Sequence, residues 1–270
     1  METLKRGSKG EDVRMLQRAL SHAGMDVTVD GDFGAKTEKA VKEFQKSKGL
    51  TADGVVGQRT WDALPDSIVK SADPSVVYSP LSVHITKSPD REIKYIAIHY
   101  TAGTTSKKGS AMKVKGVFQD RKASADFCVD DETMVQLNPD VRNYYCWAVG
   151  DKKYAYSKGG SLYGKATNRN TVSIEMCSNL RKGFTNKYAN NEGWYISEET
   201  LRMCVRLTRI LMKKYGVPAE RVVRHYDITG KTCPGVVGWN DETIYTSDDK
   251  PSKRRSTSTK WDEFKSMIRN

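Results

Sequence analysis

Several features that would place this chain in a membrane or in a secreted, disulfide-rich class are missing from its 270 residues. No run of about 18 or more apolar residues occurs, so a membrane-spanning helix is not expected. Residues 1–8 contain no apolar stretch of the kind that secretory signal peptides carry. We therefore expect synthesis in the cytoplasm without a signal peptide, and a different route outward if the substrate lies outside the cell.

Cysteine and histidine are also scarce. The five cysteines form an odd number without paired spacing, which argues against a disulfide framework and for reduced thiols. Only four histidines are available for any imidazole-based metal site. Three cysteines are expected to be small residues of the hydrophobic core, namely Cys128, Cys146 and Cys204.

Acidic side chains are outnumbered by basic ones, 33 against 45, for a formal net charge of +12. Residues 1–65 hold 11 basic and 10 acidic side chains, so nearly all of the excess lies further along the chain. Such a region is attracted to nucleic acid, an acidic membrane surface or an anionic cell wall, unless it is simply a solvated basic surface. No recognition-helix, zinc-finger or RNA-platform signature occurs, so we do not expect a nucleic-acid partner.

A turn motif occurs twice near the N-terminus. Residues 30–37 and 53–60 both read D-G-x-x-G-x-x-T, and both lead into a helical pattern. The Asp-Gly pair suits a tight turn, and the second glycine lets the chain enter a helix. Ser8 and Glu11 form an S-x-x-E capping box, which we expect to open the first helix. We predict three short helices over residues 1–65 with a common core of Val13, Leu16, Leu20, Ala40, Val41, Phe44, Trp61 and Leu64.

Two polar stretches divide the rest of the chain. The prolines that crowd residues 65–90 prevent a continuous helix or a central strand, so we predict a linker over residues 66–90. Residues 248–260 are polar throughout and predict a mobile loop. Apolar side chains then return with helical spacing at Trp261, Phe264 and Ile268, so we expect a final helix that docks onto the preceding domain.

Residues 91–270 have the pattern of a mixed α/β domain. Largely apolar runs predict buried strands at residues 93–98, 125–130, 171–177 and 222–223. Ser197 is expected to cap a long helix, which Gly216 and Pro218 end. We therefore predict an α/β fold with a mixed central sheet flanked by helices, preceded by the small three-helix domain.

Three side chains at strand ends or in loops are candidate zinc ligands. His99 ends a strand in the segment I-x-I-H-Y-T, and His225 and Cys233 lie in the segment H-x-x-x-x-x-K-x-C-P-G. A catalytic zinc takes three protein ligands and leaves one position for water, and imidazole with thiolate suits zinc better than calcium or magnesium. A lone histidine at a strand end is more often structural, so the residues alone leave both interpretations open.

These two segments resemble the type 2 N-acetylmuramoyl-L-alanine amidase family, which shares its fold with peptidoglycan recognition proteins, over roughly residues 80–270. The resemblance implies that His99, His225 and Cys233 hold zinc. It also implies hydrolysis of the amide bond between N-acetylmuramic acid and L-alanine in bacterial peptidoglycan. Residues 4–64, with the doubled turn motif, resemble the helical peptidoglycan-binding domain, which implies anchoring to the cell wall.

The resemblance also implies roles for two further residues. Lys231 lies two positions before Cys233 and is expected to stabilise the oxyanion, although it could be an ordinary surface lysine. Glu175 interrupts an apolar strand and matches the general base of many family members, although it could face solvent at a strand edge. Other members use a tyrosine where this sequence has Ala125, which favours Glu175. Cys177 is a rival metal ligand, but it lacks the motif that surrounds Cys233.

Alternatives remain open for function and setting. Non-catalytic peptidoglycan receptors have the same fold but commonly lack the zinc cysteine, which is present here as Cys233. An amidase with a binding module and no signal peptide is similar to a bacteriophage endolysin, a bacteriolytic enzyme released through a holin, while an autolysin or an injected toxin effector has the same parts. The sequence does not fix the oligomeric state.

One or two aromatic residues are expected to line a substrate groove, from the set Tyr100, Tyr144, Tyr145, Trp147, Tyr163 and Trp194.

Overall fold

A computed structural model describes residues 3–64, 76–150, 152–154, 158–246, 248 and 250–269. The chain forms two compact units, residues 1–78 and 79–270. The first part of the predicted linker, residues 66–75, lies outside the described residues. Its remainder contains two short strands, β1 (Val76–Tyr78) and β2 (Ile85–Lys87). Among the described residues, no helix has both the length and the apolar character needed to cross a membrane.

Three helices build the first unit, as predicted: α1 (Glu11–His22), α2 (Ala35–Ser47) and α3 (Gln58–Ala63). All the apolar positions predicted for their common core are buried in one cluster. The predicted capping box is wrong. Gly10 is the N-cap of α1, and its φ of 109° is a conformation that glycine adopts readily. Ser8 instead accepts a hydrogen bond at Oγ from the backbone N–H of Lys5, at 3.1 Å.

The first copy of the turn motif is held by a buried glutamine of α1. Gln17 Nε2 donates to Asp30 Oδ1 at 2.7 Å and to Thr37 Oγ1 at 3.0 Å. Its Oε1 accepts the backbone N–H of Gly31 at 2.8 Å. Gly31 has a φ of 79°, which explains the glycine after the aspartate. The motif residues therefore form a closed hydrogen-bond network around one amide.

The second copy repeats this network around Gln45 of α2. Gln45 Nε2 donates to Asp53 Oδ1 at 2.8 Å and to Thr60 Oγ1 at 3.2 Å, and its Oε1 accepts the backbone N–H of Gly54 at 2.9 Å. The sequence repeat is thus a structural repeat, which includes one glutamine from the preceding helix in each copy. Because the two glutamines stand at different distances from their turns, the sequence pattern did not reveal them.

The second unit holds most of the regular structure. Its further strands are β3 (Tyr95–Tyr100), β4 (Phe127–Val129), β5 (Met134–Gln136), β6 (Tyr144–Cys146), β7 (Thr171–Met176), β8 (Asn179–Leu180), β9 (Trp194–Tyr195), β10 (Val222–Arg224), β11 (Thr243–Tyr245) and β12 (Pro251–Arg255). Its helices are α4 (Ser110–Asp120), α5 (Glu198–Tyr215), α6 (His225–Thr229) and α7 (Thr259–Arg269), with a 3-10 turn at Ala219–Arg221.

Five strands of the main sheet lie within this unit in the order β5-β4-β7-β3-β10. The four strands β4, β7, β3 and β10 are parallel, and β5 is antiparallel to β4. Helices pack against this sheet, so the predicted α/β fold with a mixed central sheet is confirmed. The parallel pairing brings the carboxyl ends of β3, β7 and β10 to one edge, where ligand sites of such sheets commonly lie.

The helix signals of this unit are largely confirmed. Ser197 Oγ accepts the backbone N–H of Thr200 at the start of α5, and Gly216 ends that helix in the left-handed conformation with a φ of 66°. The apolar side chains of α7 are buried as predicted, at Trp261, Phe264 and Ile268.

The prediction of a loop over residues 248–260 is wrong in part. Residues Pro251–Arg255 form β12, which pairs antiparallel with β11. A polar, mostly exposed segment can form a strand because the neighbouring strand supplies the backbone hydrogen bonds, and an antiparallel ribbon can leave its side chains in water. Composition alone does not reveal such a partner.

Candidate metal centre

The three candidate zinc ligands meet at the carboxyl edge of the sheet. His99 is the next-to-last residue of β3, His225 opens α6 directly after β10, and Cys233 lies in the loop that follows α6. All three are buried, and one possible donor atom of each lies within 4.8 Å of the others. Cys233 Sγ is 3.8 Å from His99 Nδ1, and the two imidazole centroids are 4.7 Å apart. Parallel pairing of β3 and β10 creates this proximity.

Hydrogen bonding around the histidines fits a metal ion. His225 Nε2 lies 3.1 Å from the carbonyl oxygen of Val149, to which it donates its proton, and Nδ1 is then left with a free lone pair. Both His225 Nδ1 and His99 Nε2 are buried without a hydrogen-bond partner among the described residues. Buried polar atoms normally have partners, so the orphaned Nδ1 of His225, in a group where His99 Nδ1 contacts the Cys233 thiol, indicates a missing ligand. Two imidazoles and a thiolate are a donor set typical of zinc.

Burial sets the protonation of these side chains. Burial, with the positive charges of His225 and Lys231, holds the pKa of His99 well below its usual range. Burial, with the charge of Lys231, lowers the pKa of His225 to about 3. Both rings are therefore neutral at pH 7, which is the form that binds a metal. Burial raises the pKa of the Cys233 thiol to about 12, so a metal must displace its proton on binding.

Glu175 lies beside His99 in the sheet, because the register of β3 and β7 pairs these two residues. Since β7 is a central strand, the interpretation of Glu175 as a solvent-facing residue at a sheet edge does not hold. Burial raises the pKa of this carboxyl to about 7, and the charge of Lys231 acts in the opposite direction. One oxygen, Oε2, is buried without a partner among the described residues. The carboxyl can therefore gain or lose a proton near neutral pH.

A cavity of about 570 Å³ lies at this edge of the sheet. Its lining includes the three candidate ligands and the two further predicted site residues, namely His99, His225, Cys233, Glu175 and Lys231. Two of the six candidate aromatic residues also line it, Tyr100 and Trp147. Trp147 is 39% exposed, and its Nε1 donates to Thr86 Oγ1 at 2.9 Å, so the ring is held in place while its surface remains accessible. The other charged residues of the lining are basic: Lys113, Arg121 and Lys187.

Close packing explains why glycine follows the Cys-Pro pair in the C-P-G segment. A Cβ atom at Gly235 would collide with the hydroxyl group of Tyr100 and the backbone oxygen of Ala189. Tyr100 follows His99 in β3, so this close approach holds the end of the strand against the loop that carries Cys233. The glycine of the sequence motif is thus explained by the close packing of the strand that carries His99 against the loop that carries Cys233.

The remaining cysteines lie outside the group of three. All five cysteines are free and buried, in agreement with the prediction of reduced thiols. Cys177 lines the cavity, but its Sγ lies 3.8 Å from Cys128 Sγ. One contributor was missed at the sequence level: the carbonyl oxygen of Val149, which orients His225. No side-chain pattern could have revealed it, because every residue carries such an oxygen.

Comparison with known proteins assigns both parts of the chain to families. Residues 89–236 match the family described as N-acetylmuramoyl-L-alanine amidase, and residues 9–64 match a peptidoglycan-binding domain family. The chain is 30% identical to the N-acetylmuramoyl-L-alanine amidase CwlL of Bacillus licheniformis over 149 residues, which are 53% of this chain and 36% of CwlL. It is 32% identical to the amidase CwlH of Bacillus subtilis strain 168 over 170 residues, which are 61% of this chain and 57% of CwlH.

Among solved structures, a mutant endolysin from Bacillus subtilis is 22% identical, with a TM-score of 0.47 and coverage of 72% of this chain and 97% of the other. The chain spans 36% to 57% of the length of the two curated relatives described above.

Proposed function

The chain belongs to the N-acetylmuramoyl-L-alanine amidase family, and on this premise we propose that it hydrolyses the amide bond between N-acetylmuramic acid and L-alanine in bacterial peptidoglycan. The observation that carries the proposal is the buried group of His99, His225 and Cys233, in a cavity that Glu175 and Lys231 also line. The orphaned Nδ1 of His225 and the 3.8 Å approach of His99 Nδ1 to Cys233 Sγ support zinc as the cofactor of this group.

Zinc in such a site supplies Lewis-acid activation of water and of the scissile carbonyl group. In our proposal, Glu175 accepts the proton of the attacking water. A carboxyl with a pKa near 7 releases that proton as readily as it takes it, so the same group then protonates the departing amine of L-alanine. Lys231 stabilises the negative charge that develops on the carbonyl oxygen. Its electrostatic effect on Glu175 and on both histidines supports a place for its charge near the reacting atoms.

We also propose a division of labour along the chain, with a wall-binding module in residues 1–65, a linker in residues 66–90 and the catalytic domain in residues 91–270. The family match over residues 9–64 supports the first of these. Attachment to the wall raises the effective concentration of the catalytic domain at its substrate. The basic excess beyond residue 65 supports additional attraction to anionic wall polymers.

In the cellular setting that we propose, the protein is an endolysin that reaches the wall through a holin and lyses the host cell. The alternative is a non-catalytic peptidoglycan receptor on the same fold. A receptor needs neither a thiol grouped with two neutral imidazoles nor a carboxyl with a pKa near 7 in the same cavity. Cys233 and Glu175 therefore favour the enzyme.

The deciding experiment digests purified peptidoglycan of known structure with the full chain and identifies the products by mass spectrometry. We expect stem peptides with a free L-alanine amino terminus, lost on treatment with a chelator and restored by zinc. Cys233→Ser should abolish their release, whereas Cys204→Ser provides a control at an equally buried cysteine of α5. Cleavage at another bond, or full activity of Cys233→Ser, would contradict the proposal.

A further inference from the structure

His225 is oriented by a backbone carbonyl group rather than by a side chain. The carbonyl oxygen of Val149 accepts the Nε2 proton at 3.1 Å, which fixes the ring and leaves Nδ1 toward His99 and Cys233. Substitution of Val149 cannot remove a main-chain oxygen. The direction of that oxygen therefore depends on whatever holds the loop of residues 147–150 in place.

The side chain of Asn168 holds this loop. Its Oδ1 accepts the backbone N–H of Ala148 at 3.0 Å and that of Val149 at 2.8 Å. A carbonyl oxygen has two lone pairs, so this atom is fully used by two consecutive N–H groups. The two bonds fix the two peptide units that precede the Val149 carbonyl group. With these units held, the carbonyl oxygen can leave His225 only by rotation about the backbone torsions of Val149 itself. Loss of Asn168 would free the preceding units as well.

A neighbouring asparagine makes a different set of contacts. Asn170 accepts the backbone N–H of Thr167 at Oδ1, at 2.8 Å, and donates from Nδ2 to the backbone oxygen of Lys165, at 2.9 Å. These bonds stay inside the turn that precedes β7. Asn168, in the same turn, reaches across to the loop beside His225. One asparagine therefore shapes the turn, and the other connects it to the metal centre.

We infer that Asn168 is a positioning residue for the metal centre, which sets the orientation of His225 through the backbone of residues 148 and 149. The inference rests on the proposed role of His99, His225 and Cys233 as metal ligands. Groups that orient a metal-binding histidine commonly change metal affinity by about 10- to 100-fold when they are removed. Asn168 should have an effect of this size although it is not one of the three candidate ligands and does not itself line the cavity.

The test measures zinc affinity directly, by competition with a chromophoric chelator, on the full chain and its variants. Asn168→Ala should raise the Kd for zinc by about 10- to 100-fold. Asn168→Asp keeps an oxygen acceptor of the same reach and should remain within a few-fold of the parent chain. Asn170→Ala, the matched control in the same turn, should also leave zinc affinity nearly unchanged. The absorption spectrum of bound Co²⁺ depends on the geometry of its ligands. This spectrum should therefore change in Asn168→Ala, where His225 is no longer held in orientation, and not in Asn170→Ala.

The outcomes separate this inference from the proposed function. A parent chain that binds no zinc would overturn the metal centre itself. A parent chain that binds zinc, with equal affinity in Asn168→Ala, would leave the metal centre standing and overturn the role of Asn168. Equal losses in Asn168→Ala and Asn170→Ala would reduce Asn168 to a general stabiliser of the turn, and would overturn it as well. Should Asn168→Ala not fold, Asn168→Leu, which has a similar volume and no acceptor, makes the same comparison with Asn168→Asp.

Discussion

Buried polar side chains have opposite surroundings in the two units of the chain. In the first unit, Gln17 and Gln45 are 0% and 1% exposed, and both ends of each amide are hydrogen-bonded. In the second unit, His99, His225 and Glu175 each have one buried polar atom without a partner among the described residues. Such an atom costs about 1–3 kcal/mol. The satisfied network is a scaffold, whereas the unsatisfied group indicates a site that a ligand completes.

Replacement of an unsatisfied histidine should have the largest effect. His225→Ala removes one of the three proposed ligands, so bound zinc and peptidoglycan cleavage should both be lost. Because Lewis-acid activation contributes several kcal/mol, we expect activity to fall on the order of 1,000-fold or more. His84→Ala is the matched control for zinc content, since His84 lies outside the group of three and its Nδ1 already lies 2.7 Å from the backbone oxygen of Phe118. Equal zinc content in His225→Ala and the parent chain would show that the unsatisfied histidine does not mark a metal site.

Glu175→Gln should have the next largest effect. The amide cannot accept a proton from water, so kcat should fall by about 100- to 10,000-fold, while zinc content and KM change little. Steady-state kinetics on soluble muramoyl peptides can separate these quantities, with Glu220→Gln as an exposed control. Nearly full kcat in Glu175→Gln would show that another group is the base.

The satisfied network should respond in stability rather than in catalysis. Gln17→Ala or Gln45→Ala leaves several buried partners unpaired, so each should lower the free energy of unfolding of the first unit by about 1–3 kcal/mol. Urea unfolding measures this loss, and Gln119→Ala, an exposed position in α4, should change nothing. Cleavage of soluble substrates should remain at the level of the parent chain. An equal loss of that cleavage would contradict the separation of scaffold and site.

The pH dependence of folding stability gives a smaller effect, whose direction can be predicted, at Glu175 in chelator-treated protein. Its pKa is raised from 4.5 to about 7, so the folded state disfavours ionisation, and the associated stability is lost as pH rises from 4.5 through 7. The histidines titrate in both the parent chain and Glu175→Gln, so the difference between the two isolates the carboxyl. Relative to the parent chain, Glu175→Gln should gain stability over this pH range in thermal unfolding. If the difference in stability between Glu175→Gln and the parent chain stayed constant over this pH range, the pKa of Glu175 would not be raised by burial.

The smallest effect is expected on the accessible wall of the cavity, at Trp147. An exposed aromatic contact contributes about 1 kcal/mol, so Trp147→Ala should raise KM for peptidoglycan about fivefold with little change in kcat. Trp147→Phe should restore most of the affinity. Fluorescence can follow binding selectively, because the other four tryptophans are at most 8% exposed. Unaltered acrylamide quenching in the presence of peptidoglycan fragments would show that this ring does not contact the substrate.

Local patterns in the sequence predicted the elements that depend on nearby residues. The helical faces of the first unit, the Ser197 cap of α5 and the final helix α7 all follow from residues within a few turns of one another. Predictions failed where a distant partner decides the outcome. Gly10 rather than Ser8 begins α1, in a segment whose backbone is hydrogen-bonded to Gly31 and Phe33. Residues Pro251–Arg255 become a strand because β11 pairs with them.

By itself, the sequence determined the identity of the candidate ligands, since the H-x-x-x-x-x-K-x-C-P-G segment and the strand that ends near His99 carry them. Only the tertiary structure decided that these side chains meet, that Glu175 lies beside His99, and that Val149 and Asn168 orient His225. The physical reason is strand register. Residues as much as 134 positions apart become neighbours through the pairing of parallel strands, and the burial that follows sets their protonation and leaves their polar atoms for a ligand.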